Sequence, residues 1–151
     1  MKNYIIAAAA AAAAGLLPVL ASAQFAKTED AIKYRKSAMF LTNQHFGRIG
    51  AMVNDKVPFD AAAAKESAAI VNVVARLPWA AFSPGTEKGE TRARPEIWKE
   101  PGKFTAAQDR LQANLPKLMA AADTGDKAKL GEAFGETVNA CNSCHDDFRA
   151  K

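Results

Sequence analysis

The chain is poor in the residues that hold metals and crosslinks: it has two cysteines and two histidines in 151 residues. No separate disulfide framework is therefore available. Lysine and arginine form no block and do not interleave with aromatics, which argues against a nucleic-acid partner. No segment sustains period-two alternation, so no sheet is expected. That removes the βαβ setting of a thioredoxin-type redox pair. No internal repeat is present. Asp146 and Asp147 stand together, but no paired carboxylate or nucleophile surrounds them, and they read as solvated groups rather than an acid/base pair.

One long apolar run exists, and it lies at the start. Lys2 gives a positive first region, Ile5 to Leu20 an alanine-rich apolar one, and Ala21-Ser22-Ala23 a small-residue cleavage site. The run of about 16 residues is short for a membrane span of about 20. Residues 1–23 therefore read as a cleaved secretory signal peptide, and Gln24 to Lys151 as one ordinary domain, without stable membrane insertion after cleavage. Loss of Lys2 lowers the formal charge from +4 to +3, which is mildly basic.

Both cysteines fall in Cys141-Asn142-Ser143-Cys144-His145. Cys-x-x-Cys-His is the attachment run of a c-type haem. Its thiols add to the vinyl groups as thioethers and its histidine becomes an axial iron ligand. A zinc site here would need further ligands, and His45 is the only other histidine, with no other cysteine. One c-type haem, carried by Cys141, Cys144 and His145, is the expected cofactor. Such haem is attached outside the cytoplasm in bacteria, which agrees with an exported, periplasmic chain.

Four helical segments are legible. In the first, Thr28 is the expected N-cap, and Ile32, Arg35, Met39, Thr42, Phe46, Ile49 and Val53 recur at steps of three and four. Asp60 is placed to cap the second, with Ala63, Ser67, Ile70, Val74 and Leu77 inward, and Pro78 ends it. Residues 78–102 hold four prolines and two tryptophans. So long a loop is often functional, and Trp79, Phe82, Ile97 and Trp98 would pack it down. The third helix, about Lys103 to Ala122, turns Phe104, Leu111, Leu115, Leu118 and Ala122 inward, with a kink expected at Pro116. Gly125 suits a left-handed turn and Asp126 a new cap. The fourth helix aligns Leu130, Phe134, Val138, Cys141, His145 and Phe148. The pattern predicts an all-α, antiparallel up-down-up-down four-helix bundle with haem in its core.

An exported four-helix chain with Cys-x-x-Cys-His near its C-terminus resembles class II cytochrome c, the cytochrome c′ family. The likeness runs over essentially all of the mature region. It is carried by Gln24-Phe25-Ala26-Lys27, Ile32-Lys33-Tyr34-Arg35, His45-Phe46-Gly47-Arg48, Leu77 to Phe82, Pro84-Gly85-Thr86-Glu87, Arg94 to Trp98 and Cys141 to Arg149. The resemblance implies roles. Arg35 would lie near a haem propionate and Lys36 beside it. An arginine on an inward seam independently calls for an anion. Thr86, Glu87 and Glu90 would lie in the loop along the haem edge. Arg149 would stand beside the proximal His145, and Trp79 and Phe82 near the distal face. Near Thr91-Arg92 the chain is two residues longer than the family pattern, which bears on the alignment of Glu90.

Met39 decides the chemistry. Most cytochromes c′ place leucine or phenylalanine there, over an open iron face. The low-spin branch has Arg-x-x-x-Met with methionine as sixth ligand, and Arg35-Lys36-Ser37-Ala38-Met39 fits it. Methionine can ligate haem iron or simply fill a core gap. The leading expectation is one-electron transfer with Met39 as sixth ligand, resembling the low-spin members and serving redox partner proteins of the periplasm. The alternative is a high-spin, five-coordinate protein that binds NO or CO. An enzymatic role ranks last, since Met39, Trp79 and Phe82 offer no distal base. His45, six residues from Met39, is rotated off the seam and reads as a surface or subunit-contact residue. The resemblance also implies a homodimer through the first two helices, where Ala31, Ala38 and Ala61 to Ala64 would allow close approach.

Overall fold

The computed structural model describes residues 24–151, so the expected leader and its cleavage site lie outside the described residues. The chain folds as a four-helix bundle. Its long helices are α1 (Thr28–Val53), α2 (Ala61–Val74), α4 (Pro101–Asp123) and α5 (Lys127–Phe148). A 3₁₀ turn (Pro78–Ala81) and the one-turn α3 (Glu96–Lys99) lie in the long connection. α1 packs on α2, α2 on α4, α4 on α5, and α5 returns to α1. Among the described residues the only extended pairing is a single bridge between Ala93 and Arg149.

The helix starts follow local chemistry. Asp60 Oδ1 accepts from the amides of Ala62 (2.9 Å) and Ala63 (3.0 Å). Asp126 Oδ1 does the same for Ala128 (2.8 Å) and Lys129 (3.2 Å). Gly125 turns at φ 67°, open to glycine at no steric cost. The expected cap at Thr28 is corrected: Thr28 is already helical, and Lys27 precedes it without a side-chain bond. Glu29 and Asp30 still meet the positive end of the dipole. α4 runs uninterrupted past Pro116, which faces solvent.

The α2 stripe meets expectation at Ser67 and otherwise lies one position further on. Ala64, Ser67, Ala68 and Val71 are buried, whereas Ala63 is exposed and Leu77 is 42% exposed. The alanines let α2 lie close to its neighbours, so Ile70, Val74 and Leu77 fall to the flank. In α4 all five expected positions are buried. One core joins Ile49, Val71, Leu115, Leu118 and Leu130. A second joins Ile97, Phe104, Ala107 and Phe148 beneath the long connection.

α1 and α5 cross closely at Gly50. A Cβ there would stand 2.7 Å from Phe134 Cζ. The Phe134 ring stacks on Phe46, with centroids 4.3 Å apart. In the middle of α1, Met39, Thr42 and Phe46 are only half-buried, because this stretch of the seam faces a cavity.

Candidate functional site

The cavity measures about 1630 Å³ and lies between α1, α4, α5 and the long connection. It exceeds the usual range of small-ligand sites. α5 contributes Val138, Cys141, Cys144, His145 and Phe148 to its wall. Cys141 and His145 share a face because they are one turn apart. α1 contributes Ile32, Arg35, Lys36, Met39 and Phe46, and the connection Trp79, Phe82, Glu90, Thr91 and Arg92. His145 and Met39 thus open on one space.

Burial pushes both thiols up, Cys144 to about 11, where proximity to Cys141 and Asp147 adds to the effect. These are not thiolate nucleophiles at neutral pH. His145 is held below its ordinary value, first by partial enclosure and then by Arg149 and Arg92, with Asp146 opposing. Its imidazole is accordingly neutral near pH 7 and keeps a lone pair for a metal.

Arg35 is 2% exposed. Its Nη1 donates to Ala81 O (2.9 Å) and Thr86 Oγ1 (2.7 Å). Its Nη2 donates to Thr86 O (2.7 Å) and Thr91 Oγ1 (2.9 Å). The guanidinium also lies 4.5 Å from the Phe82 ring centroid and 5.7 Å from that of Trp98. Among the described residues no carboxylate pairs with it. A buried cation with neutral partners only, facing a large apolar cavity, suits a ligand that brings its own carboxylates. Haem does so through its propionates, and the thiol pair, neutral histidine and apolar walls suit the rest of it.

The remaining expected residues divide. Lys36 Nζ donates to Glu90 O (3.0 Å), so these two meet at the cavity rim. Thr86 and Glu87 do not line the cavity. Thr86 is buried behind Arg35 and reaches the site only through it, while Glu87 Oε2 is buried without a partner. Arg149 lines the wall, and its amide donates to His145 O (3.1 Å). His45 lies outside the lining and is half-buried, with Nδ1 unpartnered. Sequence reasoning missed Thr91, a partner of Arg35, and Arg92, an exposed cation that lines the same cavity as His145. Neither carries a periodic or motif signal. Trp98, expected only as an anchor, fixes the connection by donating Nε1 to Phe82 O (3.0 Å).

Fold and cavity define a class, a four-helix bundle that carries a covalently attached haem in its core. The family profile described as Cytochrome C' matches residues 30–149. The chain belongs to the cytochrome c′ family, and its cofactor is a c-type haem. The cytochrome c′ of Alcaligenes xylosoxydans xylosoxydans is 49% identical over 128 residues, spanning 85% of this chain and 99% of that one. The solved cytochrome c′ of Rubrivivax gelatinosus, 49% identical, superposes with a TM-score of 0.81 over 83% of this chain and 99% of that one. A nitric oxide complex of a leucine-to-alanine variant from Alcaligenes xylosoxidans superposes at 0.79, with 48% identity, over 85% of this chain and 99% of that one. A leucine-to-glycine variant of that protein is solved with carbon monoxide bound.

Proposed function

We propose that the chain is a periplasmic gas-binding haem protein, not an enzyme, whose iron is held by His145 and left open on the face where Met39 packs. The observation that carries this is the cavity itself. His145 and both cysteines line one wall; Met39, Trp79 and Phe82, which carry no acid or base, line the same space, and its carboxylates are Glu29 and Glu90. The nitric oxide and carbon monoxide complexes of the Alcaligenes relative support the same use. This reverses the order of the two sequence-based expectations. The attached haem supplies an iron that takes one electron or one small neutral ligand. The chain does the rest. Cys141 and Cys144 would tether it, and His145 would hold the iron. Arg35 and Lys36 would meet its carboxylates, with Thr86 and Thr91 orienting Arg35. Arg149 sets the charge near His145. Apolar Met39, Trp79 and Phe82 would keep water and anions from the iron.

The second reading is one-electron transfer to a periplasmic redox protein with Met39 bound to the iron. It rests on Met39 lining the same cavity as His145. The absorption spectrum of ferric and ferrous holoprotein, with and without CO, separates the two. A broad high-spin spectrum that converts with CO, and that Met39→Leu leaves unchanged, is expected. Sharp ferrous bands untouched by CO, opened by Met39→Leu, would refute the open-face reading in favour of the second.

Residues 1–23 serve in this reading as the export signal, and 24–151 form the haem domain. Among the described residues no helix is long and apolar enough to cross a membrane. A homodimer through α1 and α2 is part of the proposal; of the expected contacts Ala61, Ala62 and Ala63 are exposed and stay available, and three are corrected. Ala31, Ala38 and Ala64 are buried within one chain, whereas Phe40 (61%), Leu41 (46%), Val73 (60%) and Leu77 (42%) remain exposed on those two helices or just past them.

A further inference from the structure

The stretch Thr91 to Arg94 ties together two parts of the site that the helices alone leave separate. On one side, Thr91 Oγ1 accepts from Arg35 Nη2 (2.9 Å) and from Ala93 N (3.1 Å). On the other side the stretch is laced to the chain end. Arg94 N donates to Phe148 O (2.9 Å), and Ala150 N donates to Arg92 O (2.8 Å). Ala93 and Arg149 form the antiparallel bridge between those bonds. Arg92 Nε adds a side-chain bond to Ala150 O (2.9 Å), and Arg94 Nη1 a longer one to Asp146 O (3.4 Å). The pinned segment includes Arg149, whose amide donates to His145 O (3.1 Å). Arg92 also lines the cavity together with His145 and Arg149.

We propose that Arg92 is a positioning residue for His145: its bond to Ala150 holds the last turn of α5 in place, and its guanidinium adds a second cation beside Arg149. The proposal rests on His145 being the iron ligand. Ring orientation and nearby groups set how strongly an axial histidine donates and where the reduction potential lies. A cation close to the iron disfavours the more positive ferric state. A chain end held by few bonds frays readily once one is removed.

The test compares holoprotein with its Arg92→Gln and Arg92→Lys variants. Three quantities are read: the paramagnetically shifted His145 ring protons in ferric protein by NMR, the reduction midpoint, and hydrogen exchange at the Ala150 amide. Arg92→Gln is expected to move the ring-proton shifts, lower the midpoint and speed exchange. Arg92→Lys, which keeps the charge, is expected to restore most of the midpoint. Unchanged ring shifts and midpoint in Arg92→Gln would overturn the proposal, even if the tail exchanges faster, since Arg92 would then only fasten the chain end. Absence of paramagnetic shifts on His145 in the parent protein would overturn the ligand assignment and this proposal with it.

Discussion

Arg35→Met removes the charge and the donors of a side chain that is 2% exposed while keeping an unbranched stem of similar reach. Two of the four acceptors it abandons are main-chain carbonyls, Ala81 O and Thr86 O. Thr86 Oγ1 reaches Ala81 O at only 3.4 Å, so it replaces little of the lost bond. Leaving a buried acceptor unpaired costs about 1–3 kcal/mol. Loss of the desolvated contact with Phe82 adds up to about 2 kcal/mol. Relief of the arginine's own burial cost offsets part of this sum. The haem carboxylates that the proposed function assigns to Arg35 would add to this in the holoprotein, since removing one partner of a buried pair costs about 3–5 kcal/mol. The expected loss is therefore roughly 3–5 kcal/mol in the holoprotein. Arg35→Lys keeps the charge but cannot fork to four acceptors, and about half that loss is expected. Equilibrium unfolding in guanidinium chloride, followed by far-ultraviolet circular dichroism, reads both values. A loss below about 1 kcal/mol for Arg35→Met, at unchanged denaturant slope, would refute the account, because that is the scale of an exposed contact.

Two further outcomes follow from the packing and the thiols. Gly50→Ala puts a methyl group 2.7 Å from Phe134 Cζ, and the ring cannot shift without giving up its stack on Phe46. Overpacking of about 1–3 kcal/mol outweighs the ~1 kcal/mol that alanine contributes in a helix, so the melting temperature should fall by a few degrees; a rise would refute the close crossing. In the haem-free protein Cys144 has its pKa raised from 9.0 to about 11. The folded state then holds a proton that the unfolded chain gives up sooner. This contribution to stability is complete below 9.0 and lost as the pH rises toward about 11. Thioether formation abolishes it, so alkaline unfolding curves of haem-free and holoprotein should diverge over that window. Parallel curves would refute it.

Much of the architecture was legible because long amphipathic helices announce their period. The α4 stripe from Phe104 to Ala122 is buried as expected, and the caps at Asp60 and Asp126 form. The motif at Cys141 to His145 is by itself enough to locate one wall of the site, since its spacing is set by the chemistry of attachment. α2 failed on its face because alanine suits either side of a helix, and the larger Ile70, Val74 and Leu77 drew the reading away from Ala64, Ala68 and Val71. Thr28 failed as a cap because helix ends are set within a residue or two. The role of Arg35 could be inferred from its place on an apolar seam. Its actual partners, Ala81, Thr86 and Thr91, lie 46 to 56 residues away in an irregular segment. Nothing periodic encodes such contacts. Arg92 escaped notice for the same reason, since a bridge of one residue pair has no alternation to detect.

The two separate cores give the bundle an uneven grain. One, around Ile49, Leu115, Leu118 and Leu130, consists of helix on helix. The other, around Ile97, Phe104 and Phe148, is roofed by the irregular connection. The cavity draws walls from both, Ala75 and Leu111 from the first and Ile97, Phe104, Ala107 and Phe148 from the second. Proteins open in contiguous cooperative units whose stability tracks local apolar packing. The helix-only end is thus a natural foldon that can stand while the roofed end loosens. Whatever fills the cavity touches both, and so welds two units of unequal strength into one that melts together.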